Sequence, residues 1–122
     1  MAMEGSATRL LRVEGKSEDG WREAVSRSRS SLRREGFTVS FAHTGRALRG
    51  TKPTEFLAAN GDRVVRVFVL LDWAVDTEQT RRRITAAYRN GETRVFVRWP
   101  LRWRMLSNVA RWGLRGVSVT TW

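Results

Sequence analysis

Arginine and tryptophan alternate through Arg98-Trp-Pro-Leu-Arg-Trp-Arg104, and arginine continues at Arg111 and Arg115. A guanidinium grips phosphate oxygens through paired N–H donors, and an indole face stacks on a base, so this mixture suits a sugar–phosphate backbone with unpaired bases beside it. If residues 101 to 113 are helical, Arg104, Asn108, Arg111 and nearby Arg115 fall on one face. That row, with Arg98 and Arg102 before it, would follow a backbone, and Asn108 would be available for a base edge or a phosphate. On this phase Trp103, Leu106 and Ala110 point to the core, flanked by Leu101, Met105 and Trp112. Six tryptophans in 122 residues must bury most of their area somewhere. Core positions are expected for Trp21, Trp73 and Trp103. For Trp99, Trp112 and Trp122 the sequence does not choose, and Trp99 and Trp112 are the candidates for stacking.

Other residues compete for a chemical role. Arg81, Arg82 and Arg89 lie on a second arginine-rich stretch. Gly45-Arg-Ala-Leu-Arg-Gly50, followed by Thr51 and Lys52, makes Arg46, Arg49 and Lys52 candidates for phosphate contact from a loop. It lacks the Gly-Lys-Ser/Thr ending of a nucleotide-cradling P-loop. Glu35, Glu55 and Asp72 are the carboxylates that would have to meet if the chain held Mg²⁺ or Mn²⁺ for hydrolysis. Their competing roles are ordinary: Asp72 ends a strand, Glu55 faces solvent and Glu35 pairs with a neighbouring arginine. His43 is the sole histidine, which excludes two-histidine metal sites, and an exposed loop position is expected for it. No Gly-x-Ser-x-Gly elbow is present. The absence of cysteine removes disulfides, thiolate metal sites and a cysteine nucleophile together.

The elements that must position these groups can be read from period and punctuation. Residues 1 to 16 show no clear periodicity and are expected to form a flexible arm or an edge strand at Leu10–Val13. Residues 17–122 form one domain. Asp19 caps a helix to about Arg34 whose inner face carries Trp21, Val25, Ser28 and Leu32, and Gly36 stops it. Phe37–Phe41 alternates as a strand. Glu55–Ala58 is a short strand, Asn60-Gly61-Asp62 a hairpin turn, and Val64–Leu71 an apolar β-branched strand buried on both faces. Asp76 and Thr77 cap a helix to about Asn90, with Thr80, Ile84 and Ala87 or Tyr88 inward and Gly91 as its stop. Thr93–Trp99 is a strand, residues 101–113 a helix and Val117–Thr121 a last strand. The expected fold is therefore a single α/β domain with a mixed sheet of four or five strands and flanking helices, in the order α-β-β-β-α-β-α-β.

Charge bounds the partner. The chain carries +11 from 23 basic and 12 acidic residues. Residues 77 to 122 hold ten arginines against Glu78 and Glu92. So lopsided a field draws in polyanions. Only Lys16 and Lys52 are lysines. That bias suits bidentate phosphate recognition but arises equally from GC-rich coding. No apolar run approaches the roughly 18 residues of a membrane span, and the first residues lack a signal-peptide order, so a cytoplasmic location is expected.

The order helix, three-strand meander, helix, strand resembles the core of the PD-(D/E)xK restriction-endonuclease-like superfamily, over roughly residues 19 to 100. In that family a Pro-Asp pair starts the second strand, a hairpin follows, and an acidic-x-Lys motif sits on the third. Here Pro53-Thr54-Glu55, Asn60-Gly61-Asp62 and Val64–Leu71 take those places. The stretch Pro53–Arg89 is also similar to actinobacterial replication-relaxation proteins, which pair a Pro-Asp motif with an acidic strand end before an arginine-rich helix. The departures bear on function. Thr54 replaces the aspartate, and neither Arg66-Val67-Phe68 nor Val69-Leu70-Leu71 supplies an acidic residue. The resemblance thus implies a degenerate relative that keeps the scaffold and basic surface but not the metal chemistry. The expected partner is nucleic acid, DNA first, with no cofactor and no membrane. A nuclease with rearranged carboxylates, and a module docking on an acidic protein in a phage-type or mobile-element setting, are the alternatives. Residues 117–122 would offer an edge for pairing with a second copy.

Overall fold

The computed structural model describes residues 20–41 and 55–122. The arm over residues 1–16 and the glycine- and arginine-containing loop with His43, Arg46, Arg49 and Lys52 lie outside them.

Helix α1 spans residues 20–34. Ala24, Val25, Ser28 and Leu32 are buried along its inner stripe, with Trp21 half-buried beside them. Ser28 can lie there because its hydroxyl donates to the Ala24 carbonyl at 2.7 Å. The helix ends in a Schellman motif. Phe37 N–H donates to Leu32 O and Gly36 N–H to Arg33 O, both at 3.0 Å, while Gly36 takes φ 93°.

Strands β1 (Thr38–Phe41), β2 (Glu55–Asn60) and β3 (Arg63–Val69) form an antiparallel meander. Asn60 pairs with Arg63 across a two-residue turn at Gly61 and Asp62. Helix α2 (Glu78–Asn90) leads to β4 (Thr93–Val97), and helix α3 (Arg102–Arg111) leads to β5 (Ser118–Thr121). Strands β3, β4 and β5 are parallel, and the five-stranded sheet has the order β1-β2-β3-β4-β5. The domain is thus α/β with a mixed sheet, and its elements follow the expected order.

Both parallel connections step the same way along the sheet, so a common handedness places α2 and α3 on one face. Packing shows this directly. Ile84, Ala87, Met105 and Val109 share a core with Phe68, Leu70, Val95 and Val97. On the opposite face α1 covers Phe56, Ala58, Val65, Val67, Val69 and Phe96. Strand β3 departs from its expected two-sided burial at the hairpin end, where Val64 is 54% exposed.

The phase of α3 also departs from expectation. Its buried residues are Met105, Asn108 and Val109, with Leu101 and Trp112 packed against the same core. Trp103 and Ala110 face outward. The helix carries two apolar stripes, and the side with a polar residue wins because the Asn108 amide finds partners inside.

Candidate nucleic-acid interface

Strands β3 and β4 end side by side, and each runs straight into a 3-10 turn, Asp72–Ala74 after β3 and Trp99–Leu101 after β4. Leaving the sheet turns the next side chain outward in both places. Trp73 is 69% exposed, Trp99 63% and Trp103, one turn further along the chain, 69%. Among the described residues these three and Val64 are the exposed large hydrophobic side chains. The expected core positions of Trp73 and Trp103 are therefore corrected. Trp112, a stacking candidate, is instead half-buried against the core. Trp21 and Trp122 pack partly against the α1-side core.

Two carboxylates of the β3–α2 connection fix this end of the sheet. Asp72 receives Arg98 Nε at 3.1 Å on each oxygen and Nη2 at 2.6 Å, a fork that raises the guanidinium pKa further. Asp76 receives Arg104 Nε at 3.1 Å and is ion-paired with its Nη2. It also accepts the Asn108 amide at 2.8 Å, and that bond is the main reason its pKa lies below the ordinary carboxylate value. Asn108 further donates to Val75 O at 3.1 Å and accepts Arg111 Nη2 at 2.7 Å. Arg104, Asn108 and Arg111 do share one side of α3, as their spacing requires. That side faces the entry to α2, so Asn108 is buried and spent on structure rather than available to a base edge.

The remaining predicted arginines divide by helix. On α2, Arg82 and Arg89 lie two turns apart on the outward side, opposite Ile84 and Ala87. Arg81 is held by Glu78 at 2.7 Å, with Arg82 at 3.5 Å from the same carboxylate. Arg102 lies 5.2 Å over the Trp103 ring. Arg89, Arg102, Arg111 and Arg115 have no carboxylate partner among the described residues. Arg46, Arg49 and Lys52 lie outside the described residues.

The three carboxylates proposed for metal do not gather. Glu55 binds Arg66 at 2.5 Å and Arg83 at 3.0 Å, Glu35 binds Arg94 at 2.6 Å, and Asp72 binds Arg98. Among the described residues no group of three histidine or acidic side chains is placed to hold a metal ion. No described helix is long and apolar enough to cross a membrane.

Sequence reasoning offered Trp99 for stacking but missed the exposure of Trp73 and Trp103. A signal for it was present: Trp73 and Trp99 each directly follow a charged residue, Asp72 or Arg98, that closes an apolar strand run. In comparison with known protein families, curated proteins and solved structures, the chain matches none.

Proposed function

We propose that this domain binds nucleic acid, gripping the sugar–phosphate backbone with the arginines of the α2–α3 layer. The observation that carries this reading is the placement of both arginine-rich helices on one face of the sheet, with Arg82, Arg89, Arg111 and Arg115 exposed from that layer. Guanidinium groups there would neutralise phosphates and release counterions, giving affinity that depends steeply on salt. The sheet beneath fixes the spacing of the two helices, so less ordering is needed on binding.

The element order and the parallel β3-β4-β5 half support a degenerate endonuclease-like scaffold as the setting. Glu55 begins β2 opposite Phe68, where the family's acidic groups would converge, but its two oxygens are taken by Arg66 and Arg83. Neither Arg66-Val67-Phe68 nor Val69-Leu70-Leu71 supplies an acidic residue for the family's third-strand motif, and Phe68, Val69 and Leu70 are buried in the core. Binding rather than hydrolysis is therefore the reading we adopt.

Fluorescence anisotropy of labelled duplex and single-stranded DNA and RNA, titrated from low to near-physiological salt, tests it. A log–log salt slope equivalent to several phosphates supports backbone binding. Loss of all binding at modest salt for every ligand refutes it and directs the search to an acidic protein partner.

A further inference from the structure

We infer that the end of the sheet where β3 and β4 terminate is a stacking site for unpaired nucleotides, an inference that rests on the nucleic-acid reading above. All three strongly exposed indoles among the described residues, Trp73, Trp99 and Trp103, stand there. An indole buries on the order of 150–250 Å² when packed, so leaving three out of the core forgoes a large hydrophobic gain. Among the described residues the other exposed large hydrophobic side chain is Val64 at the hairpin. Strong indole exposure is thus confined to this region, and that marks a surface kept for a partner.

The surroundings select the chemistry of that partner. Trp99 opens the 3-10 turn that leads into α3, Trp103 lies four residues on in the first turn of α3, and Trp73 stands on the turn after β3, beside the Asp72–Arg98 bridge. Arg102 lies over Trp103, and no carboxylate neutralises it among the described residues. Arg98 and Arg104 use Nε and Nη2 on Asp72 and Asp76, which leaves each Nη1 for an outside acceptor. Held in this way, the two guanidinium groups present fixed donors beside flat apolar faces. A phosphodiester with free bases uses both features at once. A duplex offers only its phosphates, because its base faces are already stacked.

The test uses the full chain with two probes, a fluorescein-labelled oligo-dT and a labelled hairpin duplex, near physiological salt. Oligo-dT should quench the intrinsic tryptophan fluorescence. Trp73→Ala, Trp99→Ala and Trp103→Ala should each weaken oligo-dT binding about tenfold while leaving duplex affinity within about twofold. Trp99→Phe, which keeps a stacking face, should recover most of the loss. Because these side chains are exposed, thermal melting of the variants should match the parent, which separates a binding defect from a folding defect. If both probes bind but the triple alanine variant binds oligo-dT like the parent, the stacking site is wrong and backbone binding stands. Failure of both probes to bind overturns both proposals.

Discussion

The side-chain amide of Asn108 donates to the Asp76 carboxylate at 2.8 Å and to the Val75 carbonyl at 3.1 Å, joining the middle of α3 to the turn that opens α2. A buried polar residue thereby sets which face of α3 meets the core. Replacing Asn108 by Leu should cost about 1–3 kcal/mol, because the Val75 carbonyl is left inside without a donor. Asn108→Asp should cost more, since it also sets a second carboxylate against Asp76. Urea denaturation at neutral pH reads both, and an Asn108→Leu midpoint equal to the parent's would show that the bond has no structural weight.

Asp76 gives this joint a pH dependence of definite sign. Its folded pKa lies below the ordinary value, through the Asn108 hydrogen bond first and Arg104 second. The stabilisation it supplies is therefore fully present above the unfolded pKa of about 3.9 and is lost as pH falls through the lower folded value. Asp76→Asn should lose less stability than the parent between neutral pH and about pH 3. Thermal melts across that range test this, and parallel acid limbs for the two proteins would contradict it.

Most of the element order was legible because it depends on local signals. Thr77 and Gly91 bracket α2, Gly36 closes α1, and Asn60-Gly61-Asp62 turns the hairpin. The candidate site was less legible because it depends on which of two stripes α3 buries. Counting apolar residues favoured Trp103, Leu106 and Ala110, whereas the outcome was decided by Val75 and Asp76, more than thirty residues away in sequence. The pairing of Glu55 with Arg83 of α2 is equally non-local, the two lying 28 positions apart. Spacing within one segment carries no trace of either.

Arg94 on β4 is buried, its side chain 10% exposed, and it reaches Glu35 at 2.6 Å from beneath the end of α1. It also lies 5.7 Å over the Phe37 ring. Removing Glu35 leaves a guanidinium in the sheet without its anion, so Glu35→Ala should cost about 1–2 kcal/mol, less than a fully buried pair because Glu35 remains partly solvated. In an Arg94→Met background the same change should cost almost nothing, because the apolar side chain asks for no partner. A double-mutant cycle by urea denaturation measures the difference. A coupling below about 0.5 kcal/mol would make the pair incidental.

Gly116 admits the Tyr88 ring between α2 and the approach to β5. A Cβ at that position would stand 2.3 Å from the tyrosine oxygen and 2.8 Å from a ring carbon. Gly116→Ala should therefore destabilise by about 1–3 kcal/mol, and most of that penalty should vanish beside Tyr88→Leu. Chemical denaturation of the two single variants and the double variant resolves this, with simple additivity as the outcome against it.

The arginines divide into those that hold the fold together and those that can meet a ligand, and charge reversal should separate the two. Arg104 and Arg111 both engage the Asp76–Asn108 joint, so Arg104→Glu with Arg111→Glu should lower the melting temperature as well as weaken binding. Arg82 and Arg89 stand on the outward side of α2, where Arg82 has only a 3.5 Å approach to Glu78 and Arg89 no carboxylate among the described residues. Arg82→Glu with Arg89→Glu should lower melting far less than the Arg104/Arg111 reversal, through the lost Glu78 pair and the last-turn charge alone. It should also reduce the log–log salt slope for duplex binding by about 2, one for each lost phosphate contact. The loss should be alike for every sequence tested, because phosphate contacts carry no base information. Anisotropy titrations at several salt concentrations decide the matter. A parental slope in the Arg82/Arg89 double variant would take the outer face of α2 out of the interface, however basic it is.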